Sequence, residues 1–485
     1  MQLPKEIKNI LGELEKHGFE GYAVGGCVRD LLMKKELGLS KVEGPKDWDI
    51  TTNAKPEEIQ KIFPESFYEN SFGTVTVKTG ATEPTLEEVQ ITPYRIEGKY
   101  KDKRHPEEVE FVAELGDDLS RRDFTVNAMA LNEAGQLTDQ FDGQKDLKAK
   151  IIRTVGVPEE RFGEDALRIL RAARFATVLD FKIDKETLES IKKNSAWLEA
   201  ISKERIRDEF VKIIESANAY EGVLLLKETG LLKYIVPELL EGVGVGQNLH
   251  HIYTVWEHNT RALKYTVDKK YSLEVRLSSL FHDIGKPQTK RGEGKYSTFY
   301  GHDVVGAKIT AQIMARFKFS NAIAEKVVKL VRYHLFYYNV GEVTESSVRR
   351  LLVNVGLENA EDLIKVREAD RIGSGTPKAI PYKIRHLKYI IDKVSHDPIS
   401  AKMLKVNGED VMKELAIKPG PKIGLILNSL LAEVIDDPTK NTKDNLRKRI
   451  HELDKKSPEE LKKSLEKIEK AVEEEEKERM KKYYV

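Results

Sequence analysis

The sequence contains one cysteine, Cys27, in 485 residues, so it can form neither an internal disulfide nor a cysteine-rich zinc site. Long apolar runs are also missing, since none approaches the ~20 residues that a membrane-spanning helix needs. The first 21 residues carry acidic side chains early and lack the continuous apolar stretch of a secretory signal peptide. We therefore expect a cytoplasmic protein without a membrane association.

An excess of charge of one sign is absent as well. The chain has 81 Lys and Arg residues against 80 Asp and Glu residues, which gives a formal net charge of +1. Any binding to a nucleic acid would therefore depend on local basic patches. Hydrophobic residues make up 40% and charged residues 33%, so a soluble protein with ample core material is expected. The length is sufficient for several domains of ~100–200 residues each.

Two carboxylates, Asp47 and Asp49, stand two residues apart in the segment KDWDITT. In a strand, residues at this spacing point to the same face. Two carboxylates on one strand face suit Mg²⁺, which usually takes one or two carboxylates together with substrate phosphates. A lone pair of this kind is common on protein surfaces, so the spacing alone does not define a site.

A glycine pair, Gly25 and Gly26, follows the short apolar run 22–24 and precedes a helix-like segment. Glycines at a strand-to-helix turn let backbone N–H groups approach a phosphate at the helix N-terminus. Arg29, in the first turn of that helix, can hold a phosphate by a bidentate contact. Such a pair alone is usually just a turn, but its closeness to the two carboxylates favours a shared nucleotide site.

A third segment, RRDFTVNAM at residues 121–129, makes the pattern specific. The motifs occur along the chain in the order GGCVRD, DWD, RRDFTVNAM, DGQKDL and EDALRILRAARFA. In this order they resemble the class II tRNA nucleotidyltransferase/poly(A) polymerase family, whose best-known members are CCA-adding enzymes. The resemblance covers residues 1–240. The spacer at 33–45 is longer than expected and is interpreted as a surface insertion, which loops tolerate.

The resemblance implies template-independent addition of C, C and A to the 3′ end of tRNA from CTP and ATP. Asp47 and Asp49 would hold two Mg²⁺ ions, while Gly26, Arg29 and Arg122 would place the triphosphate. Because this transfer depends on positioning and charge stabilisation, arginines rather than a strong general base should dominate the site. No obligatory protein partner is evident.

From Glu164 an apolar helical pattern carries charged residues at every third position, namely Asp165, Arg168, Arg171 and Arg174. Such a row is usually a salt-bridged helix surface. Cytosine and adenine, however, both present an exocyclic amine beside a ring-nitrogen acceptor, so an Asp–Arg pair can read both bases and oppose G and U. The resemblance assigns this base reading to Asp165 and Arg168, and triphosphate contacts to Arg171 and Arg174.

Beyond residue 245 the mainly helical sequence contains an H…HD…D order formed by His258, His282, Asp283 and Asp370. This order resembles the HD phosphohydrolase superfamily. Imidazole and carboxylate ligands suit a divalent transition metal or Mg²⁺, and His302 and His334 could bind a second ion. A single buried histidine is more often a hydrogen-bonded core residue, but several in this order favour a metal site, with phosphohydrolase activity as an open possibility.

The expected fold class is α+β, with a palm-like mixed sheet and helices in the nucleotidyltransferase head, followed by all-α neck, HD and tail regions. The predicted domains are the head at 1–150, a helical neck that binds the base and RNA at 151–240, an HD domain at 241–380 and a helical tail at 381–485.

Local patterns predict individual elements of the head. A first helix should end near His17 and Gly18. Strands are predicted at 71–78, 89–94 and 109–112. A basic loop separates the last two strands, and the resemblance suggests Asp102 and Arg104 as functional residues of that loop.

Three alternatives remain open. A poly(A) polymerase shares the chemistry, but that branch tends to carry an arginine-containing segment where this chain reads SFGTVTVK, and a basic C-terminal extension. An HD phosphohydrolase whose N-terminal half only binds nucleotide predicts the loss of Asp47, Asp49 or Arg122, and all three are present. A non-enzymatic RNA-binding module needs no carboxylate pair.

Overall fold

A computed structural model describes residues 2–36, 44–68, 73–97, 109–111, 114–248, 252–375 and 380–483. The chain divides into two compact units. Unit 1 comprises residues 1–240 and 316–318, and unit 2 comprises residues 241–315 and 319–485. The finer division into four domains stays a prediction.

Unit 1 is built on a mixed seven-stranded sheet with the order β3-β4-β5-β2-β1-β8-β9. The strands of the unit are β1 (Gly21–Val24), β2 (Asp49–Thr52), β3 (Ser66–Tyr68), β4 (Val75–Lys78), β5 (Glu88–Pro93), β6 (Arg95–Glu97), β7 (Val109–Phe111), β8 (Met129–Leu131), β9 (Leu137–Asp139), β10 (Ile151–Ile152) and β11 (Lys182–Ile183). β2 and β5 pair in parallel, whereas the other neighbours in the sheet are antiparallel. The α+β fold class is confirmed.

The strand predictions correspond to β4, β5 and β7, although residues 71, 72 and 112 lie outside the described residues. Strand β5 shows the expected alternation, since Val89 and Ile91 are buried while Glu88 and Gln90 are exposed.

The helices of unit 1 are α1 (Lys5–Lys16), α2 (Gly26–Glu36), α3 (Pro56–Ile62), α4 (Pro84–Glu87), α5 (Leu115–Ser120), α6 (Gly143–Ala149), α7 (Pro158–Glu164), α8 (Leu167–Leu179), α9 (Lys185–Asn194), α10 (Lys203–Glu215), α11 (Ala219–Glu228) and α12 (Leu232–Ile235). The end of α1 is as predicted, because Gly18 takes the left-handed conformation with φ +82°. The prediction of an entirely helical neck is wrong in one detail. β10 and β11 form a short parallel pair, where the amide of Lys182 also donates to the carbonyl of Lys150.

The α-helices described in unit 2 are α13 (Val255–Asp268), α14 (Leu273–Phe281), α15 (Lys286–Thr289), α16 (His302–Arg316), α17 (Asn321–Tyr333), α18 (Glu345–Val355), α19 (Ala360–Gly373), α20 (Tyr382–Val394), α21 (Gly408–Leu415), α22 (Pro421–Asp436), α23 (Lys443–Asp454) and α24 (Pro458–Tyr483). Short 3-10 helices lie between them at Gly294–Tyr296, Leu357–Asn359, Ala401–Met403 and Pro438–Lys440. Helix α13 packs against α14 and α19. His258 lies on α13, Asp370 lies on α19, and His282 and Asp283 directly follow α14. Across the described ranges, no helix is both long and apolar enough to cross a membrane.

Candidate active site

The carboxylate pair lies at the start of the central strand β2. Asp49 is the first residue of β2, and Asp47 lies in the bend before it, so only one of the two belongs to the strand that the spacing predicted. Trp48 between them is buried, and its carbonyl accepts a hydrogen bond from the amide of Gln90 on β5. The buried tryptophan thus fixes the backbone from which both exposed aspartates extend.

Electrostatics at the pair favour a cation. The pKa of Asp49 lies above its ordinary value. Loss of hydration is the largest cause; the positive charge of Arg122 opposes it, and the negative charge of Asp47 adds to it. Neither aspartate forms an ion pair within 4 Å with any lysine or arginine of the described ranges. Two repelling carboxylate groups without an ion-pair partner match the hard-oxygen ligands that Mg²⁺ prefers.

The glycine turn brings Arg122 beside the start of α2. Gly25 adopts φ +82°, and a Cβ atom on it would lie 3.0 Å from Nη1 of Arg122. Glycine therefore meets two requirements here, the left-handed backbone and the close approach of the guanidinium group. The Nε of Arg122 is buried and makes no hydrogen bond with any residue that the structure describes. This N–H group is therefore available to donate a hydrogen bond to an anion at the glycine turn.

A buried carboxylate that the sequence did not single out holds this arginine. Asp118 accepts hydrogen bonds from Arg121 at 2.6 Å and from Arg122 at 3.2 Å, and the Thr51 hydroxyl on β2 donates to it at 3.2 Å. Burial would raise the pKa of Asp118, but Arg122 and Arg121 hold it below its ordinary value. Asp118 thus ties the carboxylate strand to the arginine pair. Its only sequence signal is its place three and four residues before the two arginines, a spacing that many carboxylates share without such a role.

Arg29 is buried rather than free to move. Its Nη1 donates to Oδ1 of Asn127 at 2.7 Å, its Nε donates to Asp30 at 2.8 Å, and its guanidinium lies 5.3 Å from the ring centre of Phe175. The same Asn127 donates to Asp123 at 3.1 Å. The phosphate-binding candidate is therefore fixed in place by neighbouring polar groups.

Asp123 links this network to the helices of the neck. Its Oδ2 accepts from Nε of Arg171 on α8 at 2.8 Å. Burial would raise the pKa of Asp123, but Arg171 and Asn127 lower it to about 2. Glu209 on α10 accepts from Arg174 at 2.5 Å. Both arginines that were predicted to bind the triphosphate thus have carboxylate partners in the protein.

The side chains of the proposed base-reading residues pair with other residues, although the amide of Arg168 donates to the carbonyl of Asp165 at 2.9 Å. Asp165 lies between α7 and α8, not within the helix as predicted, and accepts from Nη2 of Arg205 on α10 at 2.7 Å. Arg168 is 9% exposed, so it is not part of an exposed surface ion pair. The guanidinium of Arg168 donates to the carboxylate of Glu164 and, at 3.0 Å, to the backbone carbonyl of Arg121. Arg205 is an additional residue of this site, and its only sequence signal is its place in the charged helical segment KERIRDE.

A second candidate site lies in unit 2, where six side chains form a buried histidine–aspartate cluster. Its members are His258 of α13, His282 and Asp283 after α14, His302 of α16, His334 after α17 and Asp370 of α19. The structure therefore brings together the four residues that the H…HD…D order predicted and the two additional histidines.

Asp283 lies between two groups of possible metal ligands. Its Oδ2 is 3.0 Å from Nε2 of His258 and 3.3 Å from Nε2 of His282. Its Oδ1 is 3.2 Å from Nε2 of His302 and 3.5 Å from Nε2 of His334. The two carboxylate oxygens therefore face different histidine pairs.

Three of the histidines are oriented by the same local contact. The Nδ1 atoms of His282, His302 and His334 each donate to the carbonyl three residues earlier, at 2.7–2.8 Å. This contact fixes the ring and leaves Nε2 as the ligand atom. The buried Nε2 of His302 makes no hydrogen bond within the described part of the chain. Such a donor set fits a divalent transition metal.

Charged neighbours keep both aspartates of the cluster ionised. Burial would raise the pKa of Asp283, but Lys286, whose Nζ lies 2.6 Å away, and His282 hold it well below its ordinary value. For Asp370, burial is likewise outweighed by Arg367 at 2.5 Å. Burial would lower the pKa of His282, but Asp283 raises it to about 10.

Two predicted features lie outside the described residues. These are Asp102 and Arg104 of the basic loop, together with residues 37–43 of the long spacer.

Three family models match the chain. The model described as "Poly A polymerase head domain" matches residues 21–153, and the "Probable RNA and SrmB- binding site of polymerase A" matches residues 180–242. A model of tRNA nucleotidyltransferase domain 2 matches residues 303–450. Together they extend over both units.

Curated relatives match nearly the whole chain. The CCA-adding enzyme of Lactococcus lactis subsp. cremoris (strain MG1363) is 34% identical over 451 residues, covering 91% of this chain and 95% of the relative. The CCA-adding enzyme of Ligilactobacillus salivarius is also 34% identical, over 93% of this chain and 98% of the relative.

Solved structures show the same fold. The Bacillus stearothermophilus CCA-adding enzyme in complex with CTP matches with a TM-score of 0.66 and 27% identity, over 94% of this chain and 98% of that chain. A tRNA nucleotidyltransferase complexed with a primer tRNA and an incoming ATP analog matches with a TM-score of 0.54 and 22% identity, over 80% of this chain and 99% of that chain. At this lower identity, the second likeness concerns the fold alone.

The Asp123 network yields a stability prediction. Asp123→Asn should lower the free energy of unfolding at pH 7 by ~1–3 kcal/mol, because the half-buried Arg171 would lose its nearest carboxylate and keep only Glu209, 3.9 Å away. The folded pKa of Asp123, about 2, lies below the ordinary aspartate pKa of about 3.9 in the unfolded chain. Its contribution is therefore present above pH ~4 and is lost as the pH falls towards 2. Urea unfolding at pH 7 and pH 3 measures both effects.

Asp208→Asn provides the matched control, because Asp208 is exposed and pairs with its neighbour Arg207. The same substitution there should change the free energy of unfolding by only ~0–1 kcal/mol. Equal destabilisation by the two substitutions would contradict the role given to the pair of Asp123 with Arg171.

Proposed function

The chain belongs to the family of CCA-adding enzymes, which are tRNA nucleotidyltransferases, and from this membership we propose that it adds C, C and A in turn to the 3′ end of tRNA. The substrates are CTP, ATP and tRNA. The observation that carries the proposal is 34% identity to a CCA-adding enzyme over 91% of this chain and 95% of the relative. We propose a cytoplasmic location, and the absence of an obligatory protein partner stays a prediction.

The carboxylate pair and the glycine turn are the proposed chemical centre. Mg²⁺ ions held by Asp47 and Asp49 would lower the pKa of the RNA 3′-hydroxyl and stabilise the pyrophosphate leaving group. The backbone at Gly26 and the side chain of Arg122 would bind the triphosphate, and Arg29 would position its phosphates from beneath the turn. The buried N–H of Arg122 and the repulsion between the carboxylates support these roles.

Asp47→Ala and Asp49→Ala should each lower nucleotide addition by orders of magnitude, because each removes a metal ligand. The measurement is incorporation of labelled CMP into a tRNA transcript that lacks CCA, with circular dichroism to check the fold. Glu57→Ala, which removes an exposed acidic group of α3, is the control and should leave addition unchanged. Incorporation near the wild-type rate by either aspartate variant would contradict the metal assignment.

The base is proposed to be read by Asp165 and Arg168. Arg205 fixes the carboxylate of Asp165 from α10, while Glu164 and the carbonyl of Arg121 fix Arg168. Asp165 and Arg168 are thus held by different partners. The carboxylate of Asp165 can accept from the exocyclic amine of the base, and the guanidinium of Arg168 can donate to its ring nitrogen. Arg171 and Arg174 would contact the triphosphate from the same helix.

Replacing Asp165 with Ala should relax base selection. A buried polar mismatch costs roughly 1–3 kcal/mol, which corresponds to about ten- to a hundredfold in discrimination. The variant should therefore incorporate UMP or GMP, with a smaller loss of total rate than Asp47→Ala. The measurement is single-nucleotide incorporation on tRNA ending in NC, with each of the four nucleoside triphosphates in turn. Unchanged preference for CTP over UTP would reject the base-reading role, and Asp208→Ala is the control.

The histidine–aspartate cluster is proposed to bind a divalent transition metal and to catalyse a metal-dependent phosphoester hydrolysis. Such an ion would activate water for attack on phosphorus. Asp283 would be a ligand together with both histidine pairs. The hydrogen bonds from Nδ1 of His282, His302 and His334 to the carbonyl three residues earlier would hold each Nε2 atom in position to bind the ion. This site lies in unit 2, whereas the carboxylate pair lies in unit 1.

Elemental analysis of the purified protein should find a transition metal that His282→Ala and Asp283→Ala lose. Nucleotide addition should survive both changes, because the cluster and the carboxylate pair belong to different units. His451→Ala, in an exposed position on α23, should retain the metal. A wild-type protein that contains no metal after metal-replete preparation would argue against the site.

A further inference from the structure

Asp118 is a buried carboxylate that lies between two groups required by the proposed reaction. Its Oδ1 accepts hydrogen bonds from Nη2 and Nε of Arg121 at 2.6 and 2.9 Å. Its Oδ2 accepts from Nη2 of Arg122 and from the hydroxyl of Thr51, both at 3.2 Å. A carboxylate has about four acceptor positions, and these bonds use them. Asp118 therefore has no oxygen lone pair left for a substrate or a metal ion.

Arg122, by contrast, is partly accessible and keeps a donor for an anion. Its side chain is 19% exposed, whereas that of Asp118 is 0% exposed. Asp118 accepts from Nη2 of Arg122, while the buried Nε–H of Arg122 has no acceptor among the described residues. Because the guanidinium is a rigid planar fork, a bond to one nitrogen fixes the direction of the others. The contact with Asp118 thus decides where Arg122 can donate.

The charges around Asp118 also favour a phosphate. Arg121 makes the two shorter bonds and is sufficient to neutralise the carboxylate. Arg122 is a second guanidinium on the same carboxylate, so the group of three side chains carries an excess positive charge. A triphosphate at the glycine turn would meet that excess charge on Arg122, the more weakly held of the two arginines.

The Oδ2 atom of Asp118 also connects Arg122 to the strand that carries Asp49. Thr51 lies two residues after Asp49 on β2, and its hydroxyl donates to the same oxygen that holds Arg122. One buried atom thus fixes a candidate phosphate ligand relative to a candidate metal ligand. Nucleotide transfer needs such a fixed separation, since Mg²⁺ and the arginine contact the same triphosphate.

We propose that Asp118 is a positioning residue for nucleotide addition, which acts through Arg122 and sets the direction in which this guanidinium binds the triphosphate. The inference rests on the proposed addition of nucleotides to tRNA. It adds to that function a residue that touches neither the substrate nor the metal. A carboxylate that only stabilised the fold would influence nucleotide binding no more than tRNA binding.

The test is steady-state addition of CMP and AMP by the full chain, with calorimetric titration of CTP and of pyrophosphate in Mg²⁺. Asp118→Asn removes the negative charge and turns an N–H group towards one of the arginines. KM for CTP and KM for ATP should rise by the same factor, about tenfold or more, and pyrophosphate affinity should fall similarly. KM for tRNA and the preference for CTP over UTP should stay as in the wild type, because other residues contact the tRNA and the base.

A double-mutant cycle with Arg122→Lys separates positioning from stability. Lysine keeps the charge but lacks the planar fork that can bind Asp118 and a phosphate together. If Asp118 acts through Arg122, the double variant should raise KM for CTP no more than Arg122→Lys alone. Factors that multiply would show an action independent of Arg122 and would overturn the proposal. A wild-type KM in Arg122→Lys would overturn it too, even if Asp118→Asn failed to fold.

Asp117→Asn is the matched control, since Asp117 precedes Asp118 on α5 and the contacts with Arg122 and Thr51 are made by Asp118. Its KM values should equal those of the wild type, and thermal melting shows which variants fold. Equal effects of the two substitutions, or unchanged CTP affinity in folded Asp118→Asn, would reject the positioning role alone. A wild-type protein that binds CTP but adds no CMP would instead reject the proposed activity, and the titrations would still test Asp118.

Discussion

The ion pair between the buried Asp123 and the half-buried Arg171 is the contact on which the arrangement of the candidate nucleotide site depends. Asp123 belongs to the segment after α5, and Arg171 belongs to α8. Through Asn127, the same carboxylate is connected to Arg29 beneath the glycine turn. Hydrogen-bonded networks of this kind strengthen one another in a low-dielectric interior. Groups proposed to bind phosphate are thus fixed before any substrate arrives, as electrostatic preorganisation requires.

Local pattern predicted much of this site but not its internal contacts. The glycine turn, the two aspartates before and in β2, and the first helix all follow from short-range spacing or backbone preference. Asp118 and Glu209 were not identified, because a carboxylate that orients an arginine has no distinctive sequence pattern. The contact of Asp165 with Arg205 joins residues 40 positions apart, so only the packing of α10 beside α8 creates it.

In unit 2, the sequence pattern identified the members of the site but not their orientation. The H…HD…D order identified four members of the cluster, and all six side chains proved to be close together. The sequence could not predict ring orientation, which depends on backbone carbonyls at helix ends, or the division of Asp283 between two histidine pairs.

Nucleotide addition to tRNA transcripts ending in N, NC and NCC, with each labelled nucleoside triphosphate supplied separately, tests the central claim most directly. CCA addition predicts that CMP is added to the first two ends, that AMP is added once to the third, and that extension then stops. UMP and GMP should not be incorporated. Repeated addition of AMP would instead indicate a poly(A) polymerase, and no incorporation at any of the three ends would contradict the proposed activity.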